Sequence, residues 1–168
     1  LDGHESGSME GQELQILASN YTPVVDEKAI PTGEIAPVAD TPMDFREMTA
    51  IGARIGADFD QLKYVGGYDH NYVLDDADGT LRLVIRAKSK VSGIGMDVYT
   101  TCPGVQFYAG NRVGGQTGKG GVTYNDRQGF CLETQYFPNS VNDTNFEQPF
   151  LAPGETYEST TKYCFFVK

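Results

Sequence analysis

Tryptophan is absent from this 168-residue chain, histidine appears only twice and cysteine only three times. Each shortage closes off a class of chemistry. His4 and His70 are too few for a histidine-rich metal centre, and the cysteines are remote from both. Cys102, Cys131 and Cys164 have no metal-ligand spacing, and an odd, scattered set reads as reduced thiols rather than a disulfide framework. No Gly-x-Ser-x-Gly elbow presents a serine nucleophile, which removes the usual serine hydrolases. No apolar run approaches the roughly 20 residues of a membrane-spanning helix, and no apolar stretch follows a basic N-terminus. Positive charge is scarce too: 13 Lys and Arg stand against 23 Asp and Glu, a net charge of −10. Such a surface repels phosphate backbones and anionic headgroups, so nucleic acid and membrane are poor partners. A neutral polyol is compatible with it. Reduced thiols favour the cytoplasm, although Asn20-Tyr21-Thr22 and Asn142-Asp143-Thr144 both match the N-glycosylation pattern.

What the chain has in plenty is glycine (20), tyrosine (10) and phenylalanine (9). Turn formers between aromatic and β-branched runs describe an all-β domain. The length suits one domain with its own core, and neither a repeat nor a boundary divides residues 1–168. Residues 1–12 are polar and read as a loop, and Leu14 and Ile16 alternate in a strand over 13–19. Pro23, Pro31, Pro37 and Pro42 confine their segment to edge strands and extended connections. Phe45, Met48 and Ile51 fall near helical spacing, which predicts a short helix over 44–55. After Tyr72 come hairpins. The Asp78-Gly79 turn leads into a strand whose Leu81, Leu83, Ile85 and Ala87 share one buried face, followed by strands near 96–100, 105–109, 129–136 and 156–167. The glycine-rich stretch 114–121 precedes Val122-Thr123-Tyr124 rather than a helix, so it reads as a flexible loop and not a phosphate cradle. Strands and turns in this order predict a β-sandwich of antiparallel sheets packed face to face.

The most informative stretch is Gly129-Phe130-Cys131-Leu132-Glu133-Thr134-Gln135, which sets one carboxylate in an uncharged strand. Leu132 and Thr134 point to the face opposite Glu133. On an inner face Glu133 loses hydration and becomes a candidate general base; on an outer face it is an ordinary strand glutamate in water. Asp69 and His70 are adjacent, so a strand sends them to opposite faces and they make no acid–base dyad with each other. Asp69 with Glu133 would suit a glycosidase if roughly 5–10 Å separated their carboxyl groups. Gln106 sits between Val105 and Phe107-Tyr108, where its amide can bind sugar hydroxyls beside aromatic faces, or simply face solvent. Cys131 shares the parity of Glu133 along the strand and reads as a passive, small apolar side chain.

Three stretches together carry a resemblance: the one around Glu133, Gly67-Tyr68-Asp69-His70-Asn71, and Pro103-Gly104-Val105-Gln106-Phe107-Tyr108. Others add to it, including Tyr21-Thr22-Pro23, Ile30-Pro31-Thr32-Gly33-Glu34 and Leu151-Ala152-Pro153-Gly154-Glu155. Nearly the whole chain resembles roughly the C-terminal half of the galactose mutarotase (aldose 1-epimerase) family. The resemblance implies a mutarotase-like β-sandwich and an enzyme that interconverts the α and β anomers of free aldoses such as galactose and glucose, without a cofactor. It implies Glu133 as the base that takes the C1 hydroxyl proton, with Asp69 and Gln106 as substrate-binding residues.

One departure limits the resemblance. The family's acid histidine belongs to a His-x-Tyr-Phe-Asn-Leu motif, and Leu1-Asp2-Gly3-His4 looks like the tail of it. The second pocket histidine and a substrate-binding arginine also lie upstream in the family. His4 belongs to the loop after the motif and is not the acid. The expectation is therefore a domain lacking its N-terminal portion, impaired alone, with an uncovered sheet face or self-association as the consequence. The alternative is a mutarotase-like carbohydrate-binding or interaction domain without turnover.

Overall fold

Alternating side chains in short strands build two five-stranded antiparallel sheets that enclose an aromatic core between them. The computed structural model describes residues 1–167, without the side chain of His4. The strands are β1 (Glu13–Ile16), β2 (Asn20–Tyr21), β3 (Ala36–Pro37), β4 (Thr49–Ala50), β5 (Asp69–Val73) and β6 (Arg82–Lys88). They continue as β7 (Ile94–Thr100), β8 (Gly104–Tyr108), β9 (Gln116–Thr117), β10 (Thr123–Tyr124), β11 (Cys131–Gln135) and β12 (Thr161–Val167). One sheet runs β12-β7-β6-β1-β4 and the other β11-β8-β5-β2-β3, with β9-β10 as a separate hairpin. The all-β expectation holds.

The core is made by one parity of each strand. Leu14, Ile16, Ile85, Ala87 and Val98 face inward from the first sheet, and Tyr72, Val105, Phe107 and Leu132 from the second. Phe107 is its centre: it stacks on Tyr68 at 5.2 Å and meets Phe45 edge-on at 5.6 Å. The buried phenols are satisfied, Tyr68 donating to Pro42 O and Tyr72 to Met43 O, both at 3.0 Å. On the outer face of the first sheet, Glu13 pairs with Lys88 at 3.2 Å and Lys90 at 2.6 Å.

Three details differ from the sequence reading. Residues 44–55 form no α-helix, only a three-residue 3-10 turn at Ile51–Ala53: Thr49 and Ala50 pair with Leu14 and Glu13, and Phe45 is buried from an extended segment. Apolar residues at helical spacing suited an irregular chain crossing the core equally well, and Gly52 works against a helix there. The helix, α1, is Asp60–Val65 instead, too short for a periodic signal, and Gly66 ends it at φ 73°. In β6 a bulge between Leu83 and Ile85 breaks the alternation, burying Val84 and leaving Leu81 exposed. The glycine-rich loop is the tip of the β9-β10 hairpin.

The edge strand β12 points Tyr163, Phe165 and Val167 to the core side of its sheet, yet they are 44%, 65% and 76% exposed. An uncovered apolar face is therefore present. Among the described residues no helix is long and apolar enough to cross a membrane.

His70 lies in this core, fully buried, and burial pushes its imidazole down to about 4. An unfolded chain takes up that proton near pH 6.5, whereas the folded one resists until about 4, so stability falls as pH drops through that window. Urea midpoints should show a loss of about 2 kcal/mol between pH 7 and pH 5. His70→Phe should flatten that slope, and equal slopes would overturn the assignment. Phe107→Ala, which empties the centre of the core, should cost about 3–5 kcal/mol in the same denaturation assay.

Candidate active site

Register brings the three predicted residues to one face. In β8, Gln106 pairs with Asn71 of β5 on one side and with Glu133 of β11 on the other. Tyr108 likewise pairs with Asp69 and Cys131. Paired residues share a face, so Asp69, Asn71, Gln106, Tyr108, Cys131 and Glu133 all point away from the aromatic core. His70, Phe107 and Leu132 point into it. The separation of Asp69 from His70 expected from strand parity is what the structure has.

Several contacts fix this face. Asn111 donates to Val65 O at 3.2 Å and Tyr68 O at 3.0 Å, and Arg127 donates to Gly66 O at 2.6 Å while pairing with Glu10 at 2.8 Å. These bonds anchor the turn from α1 into β5 and so set where Asp69 starts. Gly104 has no side chain because a Cβ there would lie 2.6 Å from Asn71 Oδ1 and 2.9 Å from the Phe137 ring. Phe137 packs edge-on against Phe146 at 5.3 Å, which lets the loop after β11 close over one end of the face.

Gln106 Nε2 donates to Asp69 Oδ1 at 2.8 Å. Asp69 is half-buried, and that burial raises its carboxyl above the usual range, with the Gln106 bond and the Arg112 charge opposing the rise. Glu133 is exposed. Its strand is the outermost of the sheet, with β8 as its neighbour, so the dehydrated inner position allowed for in the sequence is not where the carboxylate sits. The Cys131 thiol is pushed up by the protein packed around it and by the adjacent Glu133 carboxylate, which makes it a weak nucleophile.

Asp69 and Glu133 lie two strands and two residues apart in register, a Cα separation on the order of 12 Å. Gln106 stands between them. A glycosidase pair flanks the scissile bond with about 5–10 Å between its carboxyl groups, whereas here the Gln106 amide lies between the two strands and bonds to Asp69. A cleft of about 410 Å³ borders the Tyr108–Cys131 rung and is lined also by Tyr124, Phe130 and Gln12. A larger cavity of about 550 Å³ lies on the outer face of the other sheet, by Arg86, Lys88 and Phe166, and shares no residue with this site.

Sequence reasoning did not single out Asn71, which stands beside Gln106 on this face, or Thr22, which stands beside Asn71. Asn71 lies two residues from Asp69 and has its parity, a signal that was present. Thr22 had none, because only the pairing of β2 with β5 brings it near.

A family model described as Aldose 1-epimerase matches residues 1–164. The chain is 42% identical over 168 residues to the galactose mutarotase of Homo sapiens, covering 99% of this chain and 47% of that protein. It is 41% identical over 167 residues to the aldose 1-epimerase of Escherichia coli (strain K12), covering 98% and 47%. Among solved structures it resembles a GalM/aldose epimerase homologue from C. elegans, with TM-score 0.80 and 25% identity over 96% of this chain and 47% of that one. It also resembles a galactose 1-epimerase from Lactobacillus acidophilus NCFM, with TM-score 0.71 and 28% identity over 95% and 45%. The chain spans about half the length of the relatives it matches. A family model matched across nearly every residue, joined to these likenesses in sequence and fold, means that the chain belongs to the aldose 1-epimerase family.

Proposed function

We propose that this chain supplies the base side of an aldose 1-epimerase site, acting on a free aldose such as galactose or glucose. The observation that carries the reading is the single sheet face shared by Asp69, Gln106 and Glu133 in a chain of this family. Glu133 is the general base. Its exposed carboxylate takes the proton of the C1 hydroxyl, the O–H electrons form the C1 carbonyl, and the bond from C1 to the ring oxygen breaks. An acid protonates that oxygen. Rotation about C1–C2 then presents the other carbonyl face, and the same transfers in reverse close the ring as the other anomer. Proton transfer by positioned groups of this kind contributes about 10²–10⁴-fold in rate. Asp69 and Gln106 hold sugar hydroxyls: Gln106 engages Asp69 Oδ1, which leaves Oδ2 as the acceptor.

The acid lies in a segment corresponding to the other half of the relatives. Among the described side chains none of the histidines faces this surface, since His70 is in the core. The uncovered apolar face of β12 supports the same arrangement, a chain that works as part of a larger β-sandwich. Unpaired Cys102, Cys131 and Cys164 support a reducing compartment, the cytoplasm.

Polarimetry on freshly dissolved α-D-galactose or α-D-glucose tests the reading. In a protein that joins this chain to an acid-bearing first half, Glu133→Gln should lower turnover by about 10²–10⁴. Undiminished turnover would remove Glu133 from its role, and sugar binding without turnover would favour the binding-domain alternative. The 168-residue chain alone should barely exceed the spontaneous rate; robust activity from it would place the acid within these residues.

The raised Asp69 carboxyl generates a pH prediction. Its ionised, accepting form is lost on acidification earlier than an ordinary aspartate would lose it, so KM should climb as pH falls toward the carboxylate range. Asp69→Asn should raise KM at neutral pH and abolish that dependence; a KM that stays flat with pH would refute the role.

A further inference from the structure

Glu133 stands on the outermost strand of its sheet, and an outer strand is paired on one side only. β8 holds it through the rung that joins Glu133 to Gln106. The other edge of β11 presents backbone groups with no neighbouring strand, and an edge held from one side frays easily. Here the second side is supplied by side chains. Tyr163 and Thr161 of β12, which belongs to the other sheet, reach across the open side of the sandwich and close on that edge.

Their contacts flank Glu133 in sequence. The Tyr163 hydroxyl donates to Leu132 O at 2.8 Å, and the Thr161 hydroxyl meets that of Thr134 at 2.5 Å. Leu132 O belongs to the same planar peptide unit as the Glu133 N–H. Consecutive residues of an antiparallel strand alternate between facing their partner and facing away, so with Leu132 O turned outward the Glu133 backbone turns toward β8. That peptide is gripped from both sides. The threonine contact is itself anchored: Thr161 Oγ1 lies 3.2 Å from Thr100 Oγ1, which is fully buried and accepts the Cys102 N–H at 3.0 Å. Parity agrees with all of this. Thr161 and Tyr163 share one face of β12, Leu132 and Thr134 share the inner face of β11, and the Glu133 carboxylate is left on the opposite face. Burial raises the Tyr163 phenol above its usual range, and the nearby Glu133 and Cys131 charges add to the rise. A phenol kept protonated remains a donor to Leu132 O.

We infer that Tyr163 and Thr161 are positioning residues for the base: they clamp β11 at Leu132 and Thr134 and so fix where Glu133 stands relative to Gln106 and Asp69. They act from the face of β11 opposite the carboxylate, without touching the sugar. Asp69 and Gln106 sit on the interior strands β5 and β8 and do not depend on the clamp. Loosening it therefore displaces the base while leaving the sugar-holding groups in place, which separates its effect on turnover from any effect on binding. The inference rests on the reading of Glu133 as the general base.

Tyr163→Phe keeps the ring and deletes the donor. In the protein that joins this chain to an acid-bearing first half, kcat should fall about three- to tenfold with KM changed by less than about twofold. Adding Thr161→Val should deepen the loss. A loss carried by KM, or an unchanged kcat in the double variant, overturns the inference. In a Glu133→Gln background Tyr163→Phe should add nothing, because it acts only through that carboxylate; additive losses count against it. If Glu133→Gln itself leaves turnover intact, it is the base reading that fails, and the clamp is then judged on the backbone. By NMR of this chain the Glu133 amide should exchange slowly with solvent, and at least about tenfold faster in the double variant. Equal exchange refutes the clamp. Should the double variant fail to fold, Tyr163→Phe alone decides by the same measurement: it must speed exchange at Glu133, and no change refutes the clamp.

Discussion

The candidate site depends on one constraint, the parity of β5, β8 and β11. Side chains alternate with a period of two, so Phe107, between Gln106 and Tyr108, determines where both of its neighbours point. Burying Phe107, Tyr72 and Leu132 is worth roughly 1.5–3 kcal/mol each. A slip of one residue would surrender that and would also drive Asp69, Gln106 and Glu133 inward, where an unpaired polar or charged group costs several kcal/mol apiece. Both terms have the same sign. The aromatic core is therefore what aims the polar face, and the site is a consequence of hydrophobic packing before it is a set of functional groups.

Asp69 and His70 show how finely parity divides chemical character. They are consecutive, and both lose hydration, but the effect runs in opposite directions because each is pushed toward its neutral form. Asp69 is partly rescued by Gln106 and Arg112 and keeps a route to solvent. His70 has no such partner. Its Nδ1 accepts the Asp69 backbone N–H at 3.2 Å, its Nε2 is unpaired, and it lies edge-on to Tyr21 at 6.0 Å. It behaves as a polar core residue with a stability cost in acid, not as a catalytic group, even though it stands next to one of the site's carboxylates.

Much of this was legible in the residues. The alternation around Glu133, the Asp78-Gly79 turn and the density of glycine and aromatics specified strands, turns and faces, and the resemblance gave Asp69, Gln106 and Glu133 together. What remained hidden was non-local. Phe45 and Ile51 at helical spacing could not be distinguished from an extended segment whose side chains happen to reach the core, because both bury the same residues. The β6 bulge leaves no mark in Leu83-Val84-Ile85, three consecutive apolar residues that suit either register. The exposure of Glu133 follows from β11 being an outer strand, and strand order is set by pairing energies across the whole sheet. Thr22 is the clearest case: nearly fifty residues from Asn71 in sequence, it becomes its neighbour only through β2.

The open site and the uncovered apolar face have a common origin. β11 and β12 are the outer strands of the two sheets, and they approach each other at one side of the sandwich: Tyr163 donates to Leu132 O at 2.8 Å, and the Thr134 and Thr161 hydroxyls meet at 2.5 Å. Among the described residues no further strand flanks either sheet on that side. On the β11 side this leaves Glu133 in solvent; on the β12 side it leaves Tyr163, Phe165 and Val167 with their rings and methyls partly in water. A carboxylate in the role proposed for Glu133 gains from a better-defined surrounding, since a positioned group is held where the reacting hydroxyl lies. Apolar side chains on a sheet face gain from the same covering at roughly 25 cal/mol per Å². Whatever layer covers this side would thus serve stability and chemistry at once, burying the β12 face while walling the pocket around Glu133.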